Sequence, residues 1–110
     1  MPTPHRPSIA VRRTLRKLGQ DLRDARRRRG LPAGVVADRA FTSRPSLQRV
    51  EQGDPAVSIG IYAAVLQALG LLEGLGELAA AGNDATGLAI ATEKLPQRVR
   101  LRRPRETSDA

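Results

Sequence analysis

An all-α fold of five helices is predicted by three features of this sequence. Apolar residues recur three to four positions apart, serines stand where helices would begin, and glycines stand where they would end. The chain has 110 residues, which is room for one small domain with tails and a thin core.

The opening residues hold Pro2, Pro4 and Pro7 and read as a flexible arm over 1–8. Ser8 suits an N-cap. Leu15, Leu18, Leu22 and Ala25 or Arg26 then form the inner stripe of a helix that runs through Arg29 and stops at Gly30. Gly19 weakens the middle of that helix, which favours an ordered start nearer Leu15. Pro32 suits a first helical position, and Val35, Val36, Ala37 and Ala40 make a short second helix that ends at Phe41 and Thr42. The third helix ends at Gly53. Its N-cap is Ser43, or Arg44 because a residue before proline avoids helical angles. Ser58 caps a fourth helix, with Ile59, Tyr62, Val65, Leu66 and Leu69 inward and Gly70 at its end. Leu72, Leu75, Leu78 and Ala79 continue with helical spacing as a fifth.

Beyond position 81 the pattern weakens. Residues 82–87, GNDATG, read as a linker, and 88–94 fit a helix or a strand equally. In 97–103, Val99 and Leu101 alternate with Arg98, Arg100 and Arg102, as in an exposed strand; a disordered basic tail fits as well. Residues 104–110 read as disordered. The expected organisation is an arm at 1–8, a domain at 9–81 and a partly disordered C-terminal extension at 82–110.

The net charge is +8 and is unevenly spread. Residues 1–30 hold ten Arg or Lys against Asp21 and Asp24, the last sixteen residues are again basic, and the middle is mildly acidic. Surfaces supplied by the termini therefore suit a polyanion. Phe41 and Tyr62 are the only aromatics, too few for a single-strand binder that stacks bases on rings. Without cysteine there is neither a disulfide framework nor a thiolate metal site. His5, the one histidine, stands in the proline-rich arm and reads as a solvated residue. No metal, cofactor or catalytic grouping is expected, and the letters GLGELA at 74–79 match a nucleotide-binding fingerprint without the strand it needs. Residues 1–8 carry no apolar run of a secretory signal, and Ile61 to Leu72 is too short to span a bilayer. A soluble cytoplasmic protein with no membrane partner is expected.

The third helix carries the functional signal. At the helical period, Leu47, Val50 and Glu51 fall on one side and Arg44, Pro45, Gln48, Arg49 and Gln52 on the other. Arginine and glutamine present the paired donors and acceptors that match guanine and adenine edges in the major groove. Two short helices with a tight turn, the second bearing such a face, look like a helix-turn-helix. An all-α bundle that merely exposes a polar helix fits the same pattern.

The stretches LGQDLRDARRRRGL at 18–31, VVADRAFTSRPSLQRVEQG at 35–53 and DPAVSIGIYAAVLQALGL at 54–71 resemble the Xre/Cro family of phage-repressor-like helix-turn-helix domains. The resemblance implies five helices and a dimer bound to a palindromic operator in double-stranded DNA. It places Arg44, Pro45, Ser46, Gln48 and Arg49 where that family reads bases, Ser43 and Gln52 where it grips phosphate, and Arg26 and Glu51 where it has a structural ion pair. The chain departs from the family pattern at Ala33, where a phosphate-touching glutamine is common, and at Phe41–Thr42, where a glycine and a branched residue are common. Phenylalanine with positive φ would be strained, so a rebuilt or tilted turn is expected there. LLEGLGELA at 71–79 and LPQRVRLRRPR at 95–105 further resemble HipB-type antitoxins, which implies a HipA-like toxin kinase as partner. The rival reading is a degenerate helix-turn-helix that binds a protein without reading DNA, favoured by Ala33, Phe41 and Pro45.

Overall fold

In the computed structural model the chain is described from residue 6 to residue 102, and its side chains as far as residue 94. His5 and the tail beyond 102 lie outside the described residues. The elements are α1 (Ile9–Arg28), α2 (Ala33–Arg39), α3 (Arg44–Glu51), α4 (Ile59–Ala68), α5 (Leu72–Glu77), a 3-10 turn (Ala81–Asn83) and α6 (Ala85–Arg102). The chain divides into two compact units inside α5, one up to Leu75 and one from Gly76.

Serine starts three of the helices. The Ser8, Ser43 and Ser58 hydroxyls accept from the amides of Val11, Ser46 and Ile61 at 3.2, 3.1 and 3.3 Å, each satisfying an amide that the first turn leaves without a partner. Ser43, and not Arg44, is therefore the cap of α3, and Pro45 sits in its first turn, where no amide is required. Pro32 stands one residue earlier than expected, as the N-cap of α2.

The first four helices end alike. After α1, Gly30 N donates to Arg27 O (2.9 Å) and Leu31 N to Arg26 O (3.2 Å), the Schellman pair that needs a left-handed residue between cap and chain. The same two bonds follow α3 at Gly53 and α4 at Gly70. After α2 they are made by Phe41 N to Asp38 O (3.1 Å) and Thr42 N to Ala37 O (3.0 Å), with Phe41 at φ 54. The turn thus keeps the closure seen after the other three helices: Phe41 fills a slot that glycine fills at φ 64, 73 and 78 elsewhere, and it is 96% exposed. Left-handed backbone costs an L-residue about 1–2 kcal/mol, and an exposed ring returns little burial. Phe41→Gly is therefore expected to stabilise the fold by about 1 kcal/mol, after allowing for the freer unfolded chain. A thermal midpoint raised by several degrees would show it; an unchanged or lowered midpoint would mean that the ring has native contacts of its own.

Leu22 and Ala25 of α1, Val36, Ala37 and Ala40 around α2, Leu47 and Val50 of α3, and Tyr62, Val65, Leu66 and Leu69 around α4 form one core. The α1 helix packs on α3, and α2 on both α3 and α4. The Tyr62 phenol donates to Asp54 O at 2.8 Å and so fixes the α3–α4 connection to α4. Burial, with the Asp54 charge, pushes that phenol's pKa up.

Gly19 does not delay the start of α1. A Cβ there would stand 2.6 Å from Gly53 N and Val50 O and 2.8 Å from Glu51 O. The missing side chain is what lets the end of α3 lie against α1. Gly53 returns the contact, since a Cβ on it would stand 2.5 Å from Arg16 Cα.

In the second unit, residues 88–94 are helical and the helix runs on to Arg102, in place of the strand or disordered tail that 97–103 offered in sequence. Asp84 starts this helix: its carboxylate accepts from Gly87 N (3.0 Å) and its carbonyl from Leu88 N (2.9 Å). The expected 82–87 linker is accordingly helical from Ala85. Alternation fitted a strand, but a lone strand leaves its amides unpaired, whereas a helix satisfies its own. The α5 helix stops at Glu77 and leaves Leu78, counted above as helical, in a turn.

Candidate nucleic-acid interface

The α3 helix is split along its length. Leu47 and Val50 are buried in the core, while Ser43, Arg44, Pro45, Gln48, Arg49 and Gln52 are exposed and Ser46 is half-buried. The Ser43 hydroxyl accepts from Ser46 N and donates to Ser46 Oγ at 3.0 Å. Both serines are therefore engaged in starting the helix.

Glu51 lies between the two faces and faces α1. Its Oε2 and Oε1 accept from Nε and Nη2 of Arg26 at 2.7 and 3.1 Å, a two-point pair whose side chains are only 14% and 11% exposed. Arg26 also donates from Nη1 to Leu31 O at 3.1 Å. One guanidinium thus joins α1, the α1–α2 connection and α3. The hydrogen bond to Glu51 raises the Arg26 pKa above its ordinary value, against the opposing effect of burial.

Arg44, Pro45, Gln48 and Gln52 line a cleft of about 520 Å³ together with Ala33 and the Arg26–Glu51 pair. Arg23 of α1 lines it too, a residue that sequence reasoning missed although it stands one helical turn before Arg26. The Arg44 guanidinium reaches over α2, where its Nε lies 3.6 Å from the place a Cβ on Gly34 would take. Arg49 points outward beyond this cleft, so the residues singled out above form one surface without all sharing one pocket. Glu51 is the one acid in the cleft lining and it is paired, which leaves the lining positive.

Among the described residues, no group of three or more His, Cys, Asp or Glu is placed to hold a metal ion, and no helix is long and apolar enough to cross a membrane. Comparison with curated proteins and with solved structures gave no match. A family model described as a helix-turn-helix domain matches residues 17–80, from the third turn of α1 to just past α5. With α2, the Phe41 turn and α3 inside that match, the chain belongs to the helix-turn-helix domain family, whose business is DNA binding.

Proposed function

We propose that this protein is a sequence-specific DNA-binding regulator of the Xre/Cro type, and that it represses transcription as a dimer on a palindromic operator. The observation that carries the reading is α3 itself: one face is fixed in the core by Leu47 and Val50, and the other exposes Arg44, Gln48 and Arg49. Two copies of that helix would enter successive major grooves about 34–36 Å apart and exclude polymerase from a promoter. Arg44, Gln48 and Arg49 would read base edges, and Pro45 would offer apolar contact to a thymine methyl. Ser46 is peripheral because its hydroxyl already accepts from Ser43. Gln52 and the end of the helix at Ser43 would hold phosphate and set the register.

Arg49→Ala should weaken binding to a duplex selected from a random pool by roughly 1–3 kcal/mol and relax preference at one base step. Equal affinity of the variant for the selected and a scrambled duplex, with wild type unchanged between them, would remove the reading altogether. In the same proposal the antitoxin role rests on 71–79 and 95–105, and copurification with a kinase encoded beside it would be its direct test.

A further inference from the structure

The first helix carries more unrelieved positive charge than the fold requires. At 3.6 residues per turn, Arg12, Arg13, Arg16, Arg23 and Arg27 fall within an arc of about 100°, and each is exposed. The acids of α1 lie outside that arc: Asp21 pairs with Lys17 at 2.6 Å, and Asp24 accepts from Gln20 at 3.1 Å. Among the described residues, the only other ion pair is Arg26–Glu51. No arginine of the stripe is neutralised within the described fold.

This arrangement works against the helix. Arg12 and Arg16, like Arg23 and Arg27, stand four residues apart and repel. Arg12 and Arg13 lie near the helix start, where the dipole disfavours cations and the first turn offers no acid. A polyanion lying along the stripe would offset both costs.

Its position says which one. Arg23 lines the cleft with Arg44, Gln48 and Gln52, and Arg16 lies against Gly53 at the end of α3. From there the stripe continues past the helix-turn-helix toward Ser8, and Arg12 to Arg27 make a track of about 22 Å at 1.5 Å per residue. We propose that this stripe binds the phosphodiester backbone of duplex DNA flanking the segment that α3 meets. It rests on the reading of α3 given above, and it extends the contact to DNA that no base-reading residue reaches.

The test uses the full chain and two fluorescent duplexes, one of mixed sequence and one selected by the wild-type protein from a random pool. Affinity for each is measured across a salt series for wild type, for Arg12→Gln/Arg16→Gln/Arg23→Gln, and for the control Lys17→Gln/Arg28→Gln, whose charges lie outside that arc, on the side of Asp21 and Asp24. The log–log salt slope on the mixed duplex should become shallower by about 0.9 for each stripe arginine removed, and the control should leave it nearly unchanged. A wild-type slope in the stripe variant, or an equal loss per charge in the control, overturns the track; so does wild-type protein that fails to bind the mixed duplex. If a stripe effect is found while selection yields no preferred sequence, base reading by α3 fails and the track stands. If the selected duplex is preferred but the stripe variant keeps its slope, the track alone fails. Circular dichroism checks that the triple variant is folded, and Arg16→Gln alone carries the measurement if it is not.

Discussion

Gly19→Val is expected to destabilise the protein by about 3 kcal/mol or more, among the largest effects available to one substitution in so small a fold. The contacts explain why. Most overpacked positions relax because a neighbouring side chain swings aside, but at Gly19 the nearest atoms are main-chain atoms of Val50, Glu51 and Gly53, all within 2.8 Å of the Cβ position. The helix can make room only by moving α3 as a body. Gly19→Ala should cost less, about 2 kcal/mol, because alanine recovers some helix propensity. Gly53→Ala combines the same crowding with a left-handed φ of 73 and should resemble the valine variant. Urea unfolding followed by circular dichroism would measure all three. A Gly19→Val midpoint within experimental error of wild type would show that α1 and α3 slide past each other freely, contrary to the packing described.

Glu51→Ala is the second large effect, at roughly 2–4 kcal/mol. It leaves the Arg26 guanidinium mostly enclosed, with Leu31 O as its remaining acceptor. Much of that loss is the penalty of a stranded charge and not the worth of the pair, so the double variant Arg26→Met/Glu51→Met should be distinctly more stable than the two single losses would sum to. Because the pair is shielded, the loss should vary little with salt. A Glu51→Ala loss that vanishes at high salt would mean that the pair is a solvated surface contact. A double variant equal to the sum of its singles would mean that the two side chains stabilise the fold separately.

Much of this architecture was legible in the sequence because it is written in local terms. Serine caps, glycine stops and inward leucines and valines act within a few residues of where they stand, so Ser8, Ser43, Ser58, Gly30, Gly53 and Gly70 mark the elements directly. What was not legible depends on the packing of distant segments. By propensity Gly19 is a weak point in α1, and only the close approach of α3 shows it to be a requirement. Phe41 could be marked as strained in advance, yet nothing local says whether the turn yields or the residue does; the Schellman bonds decide it. At 97–102, period-two alternation was a real signal with no partner strand to use it. The outward face of α3 followed from the period alone, whereas Arg23 joined it only through the three-dimensional path of α1.

The contact between Gly19 and Gly53 has a further consequence. Since α3 is seated on α1 by main chain and on the core by Leu47 and Val50, the seat does not depend on which side chains occupy 44, 48 and 49. Those positions are free to diverge between gene copies while the docking angle stays constant. On the proposed reading of α3, specificity would then change by single substitutions on a seat that stays the same.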